Sequence, residues 1–261
     1  MVLAGQYLER AVTVTSGALA LDALYHRGAV EPPCLLASPH PALGGSMTAP
    51  VIAELAWALT RAGHATLRFD YRGVGASQGR TSHAAGSLRI GALAEELEDF
   101  FAAADQLRAS AASVRAPAGE AVPGPLCAVG YSFGAAVVLA AARDPRISRV
   151  ILVAPPSTLA DFSALRTLAK PSLVVCAHHD PLCDRALLQP GPAGALHVLP
   201  HSDPSFRRGL TELGKLCAEW LRGEAPDLAP LPPPLEDDEP SPPRELDLDP
   251  GDDAPLELDT D

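Results

Sequence analysis

The stretch Gly130-Tyr131-Ser132-Phe133-Gly134 constrains this chain more than any other. An apolar run, residues 125–129, precedes it, and an alanine-rich run, residues 135–142, follows it. That order reads as strand, tight turn, helix. A G-x-S-x-G in such a setting is a nucleophile elbow. The turn is too sharp for side chains beside the serine, and glycine removes them. Ser132 is then presented at the carboxyl end of the strand, above the start of the helix. The N–H of Phe133 points at the place where an oxyanion would form. In a chain rich in Gly, Ala and Ser the bare pattern also arises by chance, so the flanking strand and helix carry the reading.

Around the elbow the chain alternates between strand and helix patterns. Short strands are expected over residues 11–15 and 19–26, as an antiparallel hairpin about Ser16-Gly17. Pro32-Pro33 breaks the chain before a buried strand over 34–37, and the Pro- and Gly-rich loop 38–47 follows. A helix is predicted over 48–61, with Ile52, Leu55, Ala56 and Leu59 on one face and Gly63 ending it. A strand over 64–70 runs into the glycine turn 71–77. A second helix is predicted over 90–108 with Leu93, Leu97, Phe100, Phe101 and Leu107 on its apolar face, and residues 109–124 read as a loop. Beyond the elbow come strands over 149–154, 171–177 and 195–199 and a closing helix over 206–221. Strands that are almost continuously apolar, alternating with helices, imply an α/β fold. Its mostly parallel central sheet carries helices on both faces and its sites lie at the carboxyl ends of the strands.

Charge separates the chain into two parts. The formal net charge is -12, yet residues 223–261 hold fourteen acidic residues and one basic residue, so the body is near neutral. A domain is expected over 1–222. The tail, 223–261, has ten prolines and alternates acids with leucines, so it reads as disordered: it buries too little apolar surface to offset its ordering entropy. It reads as a solubilising tail or as a segment that binds a protein partner. Scattered arginines give no nucleic-acid patch. No apolar run approaches the ~20 residues of a membrane span, and the N-terminus lacks a secretory pattern. The five cysteines form no C-x-x-C, and Cys34, Cys127 and Cys176 fall in apolar runs, so a cytoplasmic protein with buried thiols is expected.

A serine hydroxyl needs a histidine base, and the imidazole needs a carboxylate to fix its tautomer. After an elbow the expected order is Ser, then Asp or Glu, then His. Asp180 follows the 171–177 strand and is the candidate carboxylate. It also suits the cap of a helix near 182–188, with Asp184 in reserve. His201 follows the last strand and is the candidate base; it also reads as an ordinary loop histidine. The second oxyanion donor should come from the loop after the 34–37 strand. Pro39 and Pro41 have no N–H, which leaves His40, Ala42 or Leu43, with His40 favoured. This chemistry requires no cofactor, and the histidines show no metal spacing.

Three motifs in order, Ser38-Pro39-His40-Pro41-Ala42-Leu43-Gly44-Gly45-Ser46-Met47, Arg72-Gly73-Val74-Gly75-Ala76-Ser77 and the elbow, resemble those of the small bacterial, dienelactone-hydrolase-like members of the α/β-hydrolase superfamily. The similarity covers about residues 10–222. It implies hydrolysis of a carboxylic ester or related acyl bond without a cofactor; Tyr131 and His40 are expected beside the substrate. The short segment between residues 154 and 171 implies a small cap or none. The chain departs from the family pattern twice. Ser38 stands where the loop usually has its first histidine. Aligning the usual G-A-D-H-F-F with residues 201–206 puts Pro204 opposite the catalytic histidine and His201 three residues early. Two functions are therefore expected as alternatives. One is a serine hydrolase acting on a small acyl substrate. The other is a non-catalytic binding protein on the same fold, using the acidic tail.

Overall fold

The computed structural model describes residues 8–83, 90–115 and 122–224. The acidic tail from residue 225 on, and with it the expected disorder there, lies outside the described residues. Eight strands form one sheet: β1 (Glu9–Ser16), β2 (Leu19–His26), β3 (Val30–Ala37), β4 (His64–Phe69), β5 (Leu126–Tyr131), β6 (Ile147–Val153), β7 (Ser172–Ala177) and β8 (Gly194–Leu199). Their spatial order is β1-β2-β4-β3-β5-β6-β7-β8. The β1–β2 and β2–β4 pairings are antiparallel, and the rest are parallel. Among the described residues four α-helices complete the fold: α1 (Pro50–Arg61), α2 (Ala94–Arg115), α3 (Phe133–Ala141) and α4 (Leu210–Arg222).

The near-continuous apolar strands serve two cores at once, because successive side chains point to opposite faces. In β5, Leu126 and Ala128 pack with α2 and α3 through Phe100, Leu107 and Val137. Cys127 and Val129 pack with α1 and α4 through Leu55, Leu59, Leu213 and Leu216. Burying a leucine completely, as at Leu55 and Leu59, contributes about 1.5–3 kcal/mol relative to leaving it exposed.

Several boundaries differ from the sequence reading. β3 begins at Val30 and passes through Pro32-Pro33. Its pairing with β4 shifts register between Val30 and Cys34, and such an irregularity accommodates residues that cannot donate to the ladder. Helix α2 continues to Arg115 through what was expected to be loop, because Ala109, Ala111 and Ala112 favour helix. In place of a helix near 182–188 there is one short 3-10 turn, Arg185–Leu187. The closing helix starts at Leu210 rather than 206, since Phe206 and Gly209 both take positive φ and cannot lie in a right-handed helix.

Candidate active site

The elbow is built as its residue types require. Ser132 has φ 54° and ψ −117°, a conformation costing of order 1–3 kcal/mol for a residue with a Cβ. Its N–H donates to the Val153 carbonyl at 2.8 Å, which ties the turn to the end of β6. The glycines serve close approach. A Cβ on Gly130 would lie 2.2 Å from the Gly134 carbonyl oxygen, and one on Gly134 would lie 2.2 Å from the Ala37 carbonyl oxygen. The helix start is thus pressed against both the elbow strand and the end of β3. Phe133 is the first residue of α3, so its N–H has no intrahelical acceptor.

The loop after β3 is organised by His40. Its Nδ1 accepts from the Ala42 N–H at 3.2 Å, and its carbonyl accepts from Leu43 at 3.1 Å and Gly45 at 3.0 Å. Two of the three amides considered for the oxyanion, those of Ala42 and Leu43, are therefore engaged in the turn itself. Ser38, buried at the position of the expected histidine, donates its hydroxyl to the Phe69 carbonyl at 2.9 Å and joins β3 to β4 there. Asp70 accepts from the Met47 N–H at 2.6 Å.

The Arg72–Ser77 turn is structural. Arg72 forms charge-assisted bonds to Asp99, 2.7 Å at the shortest, and Asp99 is completely buried and also accepts from Ser16. Ser77 donates to the Asp70 carbonyl and accepts from the Asp22 N–H. His83 pairs with buried Glu96 at 3.0 Å. The His83 ring lies 4.7 Å from that of His40 and 5.3 Å from that of Phe133. This pair was not read from the sequence. Its signal was a carboxylate on the apolar stripe of α2, three residues after Leu93 and four before Phe100.

The loops after β7 and β8 are zipped together. His178 N–H donates to the Leu199 carbonyl at 3.1 Å, and His179 N–H to the Ser202 carbonyl at 3.0 Å. Asp180 and His201 thus sit on adjacent loops. Asp180 Oδ1 accepts from the Leu182 N–H at 2.9 Å, an Asx-type cap. Burial raises its pKa above the ordinary carboxylate value, and that amide opposes the rise. Asp184 caps the following 3-10 turn through Ala186 N–H. His201, at φ 54°, places its ring 6.3 Å from that of His178. Among the described residues no hydrogen bond joins His201 to Asp180 or to Ser132.

The post-β8 loop folds back over the elbow further along. Tyr131 donates its hydroxyl to the Pro204 carbonyl at 2.9 Å. Burial pushes the Tyr131 pKa up to about 12, and the Asp180 and Asp203 carboxylates add to the shift. A cavity of about 640 Å³ opens beside Ser132. His40, Tyr131 and Ser132 line it with apolar Leu43, Val51 and Leu210, and the post-β8 loop supplies Ser205 and Arg207. Asp180 and His201 are not among its lining residues. Ser205 and Arg207 were missed in the sequence; the alignment that set Pro204 opposite a histidine was the signal that this segment meets the elbow.

Residues 43–170 match the family described as serine aminopeptidase, S33. The structure of an alpha-beta serine hydrolase homologue from Coxiella burnetii is 25% identical, with TM-score 0.66 over 81% of this chain and 97% of that one. The chain belongs to the α/β-hydrolase superfamily. A second solved α/β-hydrolase, from Xanthomonas campestris and described as lacking a lid, is 26% identical, with TM-score 0.63 over 82% of this chain and 94% of the other. An uncharacterized protein of Rickettsia prowazekii is 28% identical over 153 residues, and the match spans 57% of this chain and 57% of that relative. Within this α/β-hydrolase, Ser132, Tyr131 and His40 come together, while Asp180 and His201 form a separate pair of loops. Among the described residues no helix is long and apolar enough to cross a membrane, and no three His, Cys, Asp or Glu side chains are placed to hold a metal.

Proposed function

We propose that this α/β-hydrolase is a serine hydrolase of carboxylic esters or related acyl bonds, thioesters included. The observation that carries the reading is the strained Ser132 at φ 54°, beside the Phe133 N–H and opening onto the apolar cavity. Strain of this kind persists where the surrounding structure enforces it, and it clusters at active sites. Ser132 attacks the acyl carbon, the N–H groups of Phe133 and His40 hold the oxyanion, and Tyr131 lines the acyl pocket. His201 is the base and Asp180 orients it, since both leave carboxyl ends of neighbouring strands on joined loops. Engagement with Ser132 requires the loop carrying His201 to turn toward the cavity. The proposal places the hydrolase domain at residues 1–222, in the cytoplasm, with no cofactor and with a small acyl substrate. The test is turnover of a series of p-nitrophenyl acyl esters. Ser132→Ala should lose about 10⁶-fold in kcat with an unchanged melting temperature, and turnover equal to wild type would overturn the assignment.

One observation favours a second reading. The segment of the post-β8 loop that meets the elbow carries Pro204, Ser205 and Arg207 and no histidine. On that reading the chain is a binding protein, and residues 223–261 hold a protein partner. It predicts no ester turnover and a captured partner that is lost when the chain is cut after residue 222.

A further inference from the structure

The loop that carries Asp180 is bounded by two cysteines whose sulfurs nearly touch. Cys176 is the penultimate residue of β7, and Cys183 lies seven residues later, with Sγ–Sγ 3.1 Å. All five thiols of the chain are free. Cys34, Cys127, Cys176 and Cys217 are completely shielded, whereas Cys183 keeps 7% of its surface exposed. The segment around Cys183 is held from the other side, since Thr158 donates to the Leu182 carbonyl and Ser157 to the Asp184 carbonyl. The two sulfurs are therefore kept facing each other while one edge of the pair stays open to a small reagent.

We propose that Cys176 and Cys183 form an oxidation site, in which a peroxide-class oxidant converts the dithiol into an intramolecular disulfide that closes the Asp180 loop. Bonded sulfurs stand about 2.05 Å apart, so closure needs a movement of about 1 Å. Cys183 is the sulfur a small reagent reaches, and the thiolate is the attacking form. The Cys183 thiolate attacks one peroxide oxygen, the O–O bond breaks, and the other oxygen leaves as water after taking a proton. The resulting sulfenic acid is attacked by the Cys176 sulfur. The S–S bond forms, the S–O bond breaks, and a second water leaves with the Cys176 proton. Two electrons pass from the sulfurs to the peroxide, and a dithiol reductant reverses the change. The loop between the sulfurs, His178 to Leu182, is then held in a covalent ring with Asp180 inside it.

The test uses the folded full chain and hydrogen peroxide. After treatment the protein is unfolded in iodoacetamide, and its alkylated cysteines are counted by intact mass. Three alkylated thiols are expected in place of five, with a Cys176–Cys183 link in the peptide map and all five restored by dithiothreitol. Cys183→Ser should keep its remaining four alkylatable after the same treatment. Five alkylated thiols in oxidised wild type would overturn the proposal. So would oxygen addition without a cross-link, or a link between other cysteines. The wild-type peptide map decides the matter even if the variant does not fold, and none of these readouts depends on hydrolase activity.

Discussion

The two halves of the site are held by different means. On the elbow side, β3, β4 and β5 and their loops are fixed by backbone contacts and buried charge: Gly130 and Gly134 at close approach, Ser38 on Phe69, and Arg72 on completely buried Asp99. On the side of Asp180 and His201, the loops after β7 and β8 are joined to each other through His178 and His179 and to the loop after β6 through Ser157 and Thr158. Their one tie to the elbow among the hydrogen bonds described is Tyr131 to Pro204. Short motifs with glycines and buried ion pairs specify geometry locally. A loop that reaches the elbow through one hydroxyl is specified less closely. Ser132 is thus presented whatever His201 does, and on the proposed function the base can be lost or moved without unmaking the fold.

The largest stability effect should separate the halves. Asp99→Ala takes the one completely buried carboxylate from Arg72, from its N–H and from Ser16, and leaves the guanidinium only the more exposed Glu95 and Glu98, a loss of about 3 kcal/mol in urea unfolding. A loss below about 1 kcal/mol would mean that the elbow side is no more firmly held than the other. Gly134→Ala comes next. Its Cβ meets the backbone of Ala37 and Ser38 rather than a flexible side chain, so about 1–3 kcal/mol of overpacking is expected, read as a lower urea midpoint. The same substitution leaving the midpoint unmoved would refute close approach as the reason for glycine there.

Much of this contrast was legible in the sequence. The elbow, the strands before and after it and the alternation that makes a parallel sheet all rest on local pattern: continuous apolar strands, amphipathic helices and glycine turns. Ser132, Phe133, Tyr131 and His40 were chosen through those patterns, and His40, Tyr131 and Ser132 line one cavity. Where spacing alone had to speak, it said less. Asp180 and His201 were chosen by chain order, and order does not fix which part of a loop folds back over the sheet. Tyr131, five strand positions into β5, decides that by reaching residue 204 across 73 residues of chain. The length of α2 was missed because Pro117 and Gly119 mark a break beyond the point where alanines still favour helix. Glu96 and Asp99 were overlooked because an acidic residue on a helix is usually solvated, and these two face inward to partners distant in sequence.

Smaller effects sharpen the comparison. Tyr131→Phe removes the side-chain hydrogen bond that joins the post-β8 loop to the elbow and should cost about 1 kcal/mol. Amide exchange should quicken across residues 200–209 while residues 38–45 stay protected; equal quickening in both would show that the halves are not independent. The smallest expected effect is electrostatic. Burial holds the Asp180 pKa above 3.8, so the folded protein keeps that proton to higher pH than the unfolded chain. The stability linked to it is complete below the unfolded value and is lost as pH rises through the folded value. Asp180→Asn should therefore raise stability at neutral pH and flatten the stability curve just above pH 3.8. Urea midpoints collected across that range check it, and an unchanged slope would show that Asp180 is as solvated as an ordinary surface carboxylate.

The most direct measurement of the central claim is intact-mass detection of fluorophosphonate labelling, on wild type and His201→Ala in parallel. Such a probe phosphonylates only an activated serine. The account predicts one adduct, mapped to Ser132, in wild type and none in the folded variant, because His201 must swing to the presented nucleophile. An adduct that forms equally in His201→Ala, or no adduct on folded wild type, would contradict it.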